Sequence, residues 1–254
     1  MVVITTARRI LAAACLLLVA SSKLFAQAPP PPTPPPPPPP LTATASAGLA
    51  LTSGNTDTST INMGYGFAYD PKTRNVVKSE GLFLRGKSEG EVTADRLALN
   101  GRDEYKLHDR LFTFGQLQYL RDPFKDIDYL VAPTGGLGYR LADTPRTKLS
   151  VDGGVGVVWE KAPLRDVDTS GAVTFSEKLA HQLSATAALT ENFSALYKTQ
   201  DFNDALYSFS TALAASVTQR TQVKIEFLDT YKNLVAPTIE KNDIAVIVGL
   251  VYKR

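Results

Sequence analysis

A two-residue rhythm runs from Leu41 almost to the last residue, and nothing else in the chain constrains its fold so tightly. Between Thr42 and Thr52, the residues Ala43, Ala45, Ala47, Leu49 and Leu51 alternate with Thr42, Thr44, Ser46, Gly48, Ala50 and Thr52. Successive side chains of a strand point to opposite faces, so the pattern specifies a strand with one apolar and one polar face. The rhythm recurs near residues 42–53, 58–70, 74–87, 92–107, 110–121, 128–142, 146–160, 171–181, 184–198, 204–217, 221–232 and 241–253. These segments are longer than the ~5–6 residues usual in soluble sheets.

The connections alternate as well. Tight ones at Asp70 to Thr73, Leu107 to Arg110, Asp143 to Arg146, His181 to Leu183 and Thr218 to Arg220 separate longer, more charged ones such as Lys87 to Glu91, Arg121 to Asp128, Lys161 to Ser170 and Lys232 to Glu240. An even strand count with alternating short and long connections is the pattern of a barrel in a bacterial outer membrane, its short turns periplasmic. The expected fold is therefore all-β: an antiparallel up-and-down transmembrane β-barrel of about 12 strands over residues 42–254, with both ends of the sheet on the periplasmic side. No repeat of 34 to 45 residues is evident, which disfavours a propeller or solenoid.

Ahead of the barrel, Arg8 and Arg9 precede an apolar run from Ile10 to Ala20, too short to span a bilayer and followed by a small residue at Ala26. Residues 1–26 read as a signal peptide cleaved near Gln27. The chain's one cysteine, Cys15, leaves with it, so no disulfide or thiolate metal site is expected. Arg8, Arg9 and Lys23 also leave, so 24 basic residues face 25 acidic ones and the net charge falls from +2 to −1. Neither a broad basic face nor a nucleic-acid-reading motif is present. Residues 27–41 form a linker in which Pro29 to Pro40 is proline except at Thr33. This segment reads as a polyproline II rod of roughly 35–40 Å, a spacer or a means of contacting a periplasmic partner or the cell wall.

Charge decides which face meets lipid. On 146–160, Leu149, Val151, Val155, Val157 and Trp159 oppose Lys148, Ser150, Asp152, Gly154 and Gly156; on 241–253, Ile244, Val246, Val248, Leu250 and Tyr252 oppose Asp243, Ala245, Gly249 and Lys253. A Lys or Arg on the lipid face at mid-membrane costs roughly 2–4 kcal/mol, so the charged rows are expected to line the lumen. This assigns Arg96, Asn100, Arg102, Glu104, Lys148, Asp152, Lys224 and Glu226 to the interior. Aromatic residues gather toward strand ends, among them Tyr65, Phe67, Tyr69, Tyr119, Tyr139, Trp159, Tyr207, Phe209 and Tyr252, as a girdle at the water–lipid boundary requires. Asp103, Glu177 and Asp229 fall in the lipid-facing phase, which calls for bulges or rim positions there.

Catalytic signals are sparse. The two histidines, His108 and His181, fall in expected periplasmic turns with no serine-centred motif around them, which disfavours a lipid-modifying enzyme. Two separated histidines without cysteine also make a poor zinc site. The run Asp152 to Gly156 (DGGVG) sits within a strand pattern with no helix after it, and reads as close packing or a bend rather than a nucleotide loop. Asp122, Asp126 and Asp128, and Asp166 with Asp168, lack the spacing of a calcium loop. No metal, cofactor or catalytic residue is assigned.

Four segments resemble the YdiY-like salt-induced outer-membrane proteins, a family whose domain has no known function: LALTSGNTDTS from Leu49, YLRDPFKDIDYL from Tyr119, GLGYRL from Gly136 and KNDIAVIVGLVYKR from Lys241. The resemblance implies an outer-membrane barrel of a Gram-negative envelope, linked by name to salt stress, without established activity or cofactor. It brings lipid, lipopolysaccharide and the barrel assembly machinery as expected partners. Outer-membrane barrels usually end on an aromatic residue, whereas this sequence reads Tyr252, Lys253, Arg254; Tyr252 is expected to serve as the assembly signal. The function expected is structural or porin-like, with two alternatives: a lipid-modifying enzyme of the outer membrane, or a soluble periplasmic β-protein tethered by the proline rod.

Overall fold

A computed structural model of the chain describes residues 40–53, 58–88, 91–237 and 239–253, so the signal segment and all but the end of the proline-rich linker lie outside the described residues. Twelve strands follow one another: β1 (Leu41–Ser53), β2 (Thr58–Tyr69), β3 (Asn75–Ser88), β4 (Glu91–Lys106), β5 (Leu111–Asp122), β6 (Ile127–Asp143), β7 (Thr147–Lys161), β8 (Val167–Gln182), β9 (Ala187–Lys198), β10 (Ala205–Ser216), β11 (Thr221–Lys232) and β12 (Asn242–Lys253). A single 3₁₀ turn, Pro123–Lys125, interrupts the connection between β5 and β6. Each strand pairs antiparallel with its sequence neighbours, and β12 pairs with β1 to close the barrel. Closure removes the two bare sheet edges that would otherwise expose rows of unpaired amides.

The closing seam runs in register from Thr44↔Lys253 to Ser53↔Ile244. At its middle Gly48 faces Gly249, and a Cβ on Gly48 would lie 2.1 Å from the Val248 carbonyl oxygen. The two backbones approach so closely that no side chain fits between them.

The connections β2–β3, β4–β5, β6–β7, β8–β9 and β10–β11 form one end of the barrel, hereafter the turn end, and the other six the loop end. At the loop end β9–β10 and β11–β12 are longer than any turn, but β3–β4 and β5–β6 are not, so the alternation of length expected from sequence holds only in part. At the turn end Asp70 accepts from the Lys72 backbone amide at 2.9 Å and pairs with the Lys72 ammonium at 3.1 Å, while Lys72 takes a left-handed φ of 62°. Burial pushes the Asp70 carboxyl upward, but these donors and Lys106 outweigh it and hold the group below the usual carboxylate range.

Strand boundaries differ from the sequence reading by a few residues, most of all at β8. β8 begins at Val167 rather than residue 171, because Lys161↔Val167 and Glu160↔Asp168 extend its ladder with β7. It also continues to Gln182, so His181 is a strand residue, its Nδ1 2.8 Å from Thr147 Oγ1, and not a turn histidine. His108 lies in the turn between β4 and β5, its amide donating to the Leu111 carbonyl. Bulges occur at Gly86/Lys87, Leu120/Asp122 and Arg140/Ala142, and none occurs where the lipid-phase carboxylates had called for one. Asp103 and Asp229 instead stand near the ends of β4 and β11, and Glu177 faces outward in regular register with Phe193.

The outer wall carries the apolar rows, with Ile61 59%, Leu137 55%, Val155 67% and Leu250 58% exposed. Tyr197, Tyr207 and Tyr231 form a chain of rings at the loop end, with centroids 5.6 and 6.0 Å apart. The one described ion pair between neighbouring outward side chains near that rim joins Asp95 to Arg121 at 2.9 Å.

A layered interior as the candidate functional site

The inner wall is stacked in three tiers. Along β4 the inward residues Arg96, Ala98, Asn100, Arg102 and Glu104 descend from the loop end to the turn end and pass through all three.

The turn-end tier is centred on Arg102, whose side chain is 1% exposed. Its Nε donates to Glu104 Oε1 at 2.9 Å, Nη2 to Asp152 Oδ2 at 2.8 Å and Nη1 to Gln116 Oε1 at 2.8 Å. The guanidinium lies 3.8 Å from the ring centroid of Phe114, on which it stacks. Lys78 donates to the same Glu104 oxygen at 2.8 Å, and Arg140 lies 4.0 Å from its other oxygen. This satisfies most donors of a buried cation, the condition under which a charge is tolerated away from water.

Glycines make room for the rings beneath this network. A Cβ on Gly138 would stand 2.2 Å from Cζ of Phe112, itself fully buried and 5.3 Å from the Arg140 guanidinium. Within the DGGVG run, Gly154 and Gly156 face Gly136 and Thr134 across the β6–β7 ladder. The run is therefore close strand packing in a barrel wall. Gly138→Ala is expected to displace the Phe112 ring and cost about 1–3 kcal/mol, the range for overpacking a filled interior, measured as a lower denaturant midpoint with an unchanged slope.

The middle tier is apolar. Leu120, Ile127, Leu130, Ala132, Val158, Ala172 and Leu196 pack together from β5 to β9, and Leu84, Leu228, Ala245 and Ile247 form a second cluster on the facing wall.

The loop-end tier is again ionic. Arg96 donates to Thr230 Oγ1 at 2.9 Å and lies 3.4 Å from Asp122. Glu160 pairs with both Lys232 and Lys198, and Lys198 also reaches Asp168 at 3.0 Å and Asp204 at 2.7 Å. The Lys198 ammonium thus sits among three carboxylates. Above this lies a strap: Lys125, 0% exposed, donates to the Glu240 carbonyl at 2.7 Å and pairs with Asp243 at 3.2 Å, while the Ala236 amide donates to Asp126 Oδ2 at 3.1 Å. The connections β5–β6 and β11–β12 rise from opposite walls, so these bonds cross the mouth. Asp126 supports the crossing by adopting a left-handed φ of 57°, a conformation aspartate tolerates better than most residues.

Of the residues assigned to the lumen from sequence, Arg102, Glu104 and Asp152 meet in one network, Arg96 belongs to the loop-end tier, and Asn100 donates to Glu80 at 3.1 Å. Lys224 and Glu226 pair with each other at 2.6 Å on β11, apart from both networks. Lys148 stands exposed at the turn-end rim beside Asp143 rather than inside, because β7 has only just begun there. Tyr252 faces outward on β12 and is 47% exposed. Asp122, Asp126 and Asp168 are engaged by Arg96, the Ala236 amide and Lys198, and among the described residues no group of side chains is arranged to hold a metal ion. Sequence reasoning missed Lys125, Glu160, Lys198 and Lys232. Glu160 continues the inward phase of Asp152 and was within reach of the same alternation; the strap was not.

An apolar outer wall, a closed ladder and charges turned inward define a barrel of the outer-membrane type. The chain belongs to the family described as protein of unknown function, DUF481, the YdiY family, whose model matches residues 45–253. Among solved structures it is similar to the NanC porin, with a TM-score of 0.55 and 10% identity over 84% of this chain and 98% of that one. Weaker likenesses are an outer membrane channel from Pseudomonas putida F1 (TM-score 0.49, 11% identity, 85% and 96% covered) and the translocator domain of the autotransporter NalP from Neisseria meningitidis (TM-score 0.47, 14% identity, 84% and 88% covered). At such identities the likeness is one of fold. A search of the curated proteins found no match.

Proposed function

We propose that the chain is an outer-membrane barrel of a Gram-negative envelope, with a porin-like interior held shut at its loop end by the Lys125 strap and the apolar tier beneath it. The observation that carries this reading is the opposition of the two walls: exposed rows such as Ile61, Leu137, Val155 and Leu250 outside, and ion pairs such as Arg102–Asp152 inside. Apolar rows of this extent suit acyl chains and would be a liability in water. Lipid and lipopolysaccharide are then its immediate partners, and the strap faces the medium.

Planar-bilayer recording of the folded barrel tests the passage. The strapped wild type is expected to open rarely, and a barrel that stays silent even with the strap removed would leave a structural role in the envelope. A role under osmotic load is the further reading that the family resemblance supports; slower growth of a deletion strain at raised salt, restored by the gene, would support it. A polypeptide that remains folded and monodisperse in buffer without surfactant would exclude the membrane placement altogether.

Tyr252 is read as the aromatic element of the assembly signal, since its ring is presented outward on the closing strand. Tyr252→Ala is expected to lower the heat-modifiable fraction in outer membranes several-fold. An unchanged fraction would remove that role.

A further inference from the structure

The outward phase of the wall carries its charge unevenly. Among the described residues its basic members, Arg85 and Lys87 on β3, Arg121 on β5 and Lys161 on β7, all fall within the last four positions of their strands at the loop end. Asp103, Glu177 and Glu191, of the same phase, lie toward the turn end. Asp229 is at the loop end but on β11, four strands from both β3 and β7. The basic row therefore occupies one sector of one rim.

Its cations outnumber their partners. Asp95 stands opposite Arg85 across the β3–β4 ladder and pairs with Arg121 at 2.9 Å, so one carboxylate lies between two guanidinium groups. The Arg121 side chain remains 40% exposed despite that pair. Arg85 and Lys161 make no hydrogen bond or ion pair among the described residues. Depth is marked by the next row down, where Tyr119, Val131 and Trp159 adjoin across β5, β6 and β7. Below the rings the wall is apolar, with Leu99 and Leu117 exposed. Tyrosine and tryptophan settle at the boundary between water and acyl chains, which places the cations just above it, at headgroup level. The anionic group that a membrane offers at that depth is the lipid phosphate, and an arginine fork matches its oxygens.

We propose that the β3–β7 sector of the loop-end rim is a binding site for an anionic lipid of the outer leaflet, Arg85 and Arg121 holding its phosphate and Lys161 adding charge, with its acyl chains against Leu99 and Leu117. The site rests on the membrane reading above and gives that reading one defined lipid contact.

Trp159, the chain's one tryptophan, reports on it from two strands away from Arg121, about 10 Å. The barrel is folded into phosphatidylcholine vesicles in which part of the lipid is replaced by brominated phosphatidic acid or, in parallel, by brominated phosphatidylcholine. Quenching of Trp159 is expected to show phosphatidic acid enriched about five-fold over phosphatidylcholine beside the ring. Arg85→Gln with Arg121→Gln should abolish most of that enrichment. Asp95→Asn should raise it, because both guanidinium groups are then released to the lipid. Glu177→Gln with Glu191→Gln, at the other end of the wall, should leave it unchanged, and excess inorganic phosphate should not reverse it, since the acyl chains hold the lipid in place. Heat-modifiable mobility verifies the folding of each variant. Absence of enrichment, its persistence in the folded double arginine variant, its loss in Asp95→Asn, an equal response to the turn-end carboxylates, or reversal by inorganic phosphate overturns the proposal. A barrel that inserts and shows no enrichment removes the site alone, whereas a chain that does not insert removes the membrane reading with it.

Discussion

Replacing Arg102 with alanine is expected to destabilise the barrel by about 3–5 kcal/mol, the range found when one member of a buried ion pair is removed. The guanidinium is the common partner of Glu104 and Asp152, whose side chains are 6% and 3% exposed. Without it Asp152 loses the only ion-pair partner described for it, and Glu104 keeps Lys78 at 2.8 Å with Arg140 at 4.0 Å. The Phe114 ring loses its stacked cation at 3.8 Å as well. Arg102→Lys is expected to recover little, because a single ammonium lacks the fork that reaches Glu104, Gln116 and Asp152 together. The double variant Arg102→Ala with Asp152→Asn should be more stable than Arg102→Ala alone, since the stranded charge goes with its partner. Urea unfolding of the barrel in lipid vesicles measures all three, and a loss below 1 kcal/mol for Arg102→Ala would show that the turn-end network is hydrated and contributes little.

How much of this was legible in the sequence differs from tier to tier. The strand count and closure follow from alternation, because a period of two admits one backbone conformation and an apolar outer phase leaves no open edge that lipid could tolerate. The same alternation gives Arg102 and Asp152 a common phase, but they stand 50 positions apart, on β4 and β7. Which inward residue meets which depends on the stagger of the ladders, to which the periodicity is blind. Lys148 carries the inward phase yet sits at the rim, since phase says nothing about depth. The start of β8 was hidden for another reason: Asp168 looks like a loop charge, as its neighbour Asp166 is, until Lys198, brought alongside by β9, supplies it with a partner. Lys125 was least legible of all, lying outside any strand and meeting partners from the opposite wall.

Lys125→Glu is expected to release the strap and raise the open probability of the barrel in planar bilayers by at least an order of magnitude. The substituted carboxylate would face Asp243 and Asp122, with Arg96 already shared between Asp122 and Thr230, so attraction across the mouth turns to repulsion. Lys125→Met separates charge from packing: it keeps the stem that fills the 0%-exposed position and is expected to stay closed. The wild type should also respond to alkali in a definite direction. Burial pushes the Lys125 ammonium below the ordinary lysine range, with Asp243 and Asp122 opposing and Arg96 adding to the shift. A lysine that binds its proton less readily when the strap is closed than when it is open favours the closed form as pH rises through that lowered value. Open probability should therefore fall on going alkaline in the wild type, and Lys125→Met should lack this dependence. Equal open probabilities for the wild type and Lys125→Glu would show that the strap does not hold the mouth, and would place any barrier to solutes in the Leu120–Leu130–Val158 layer below it.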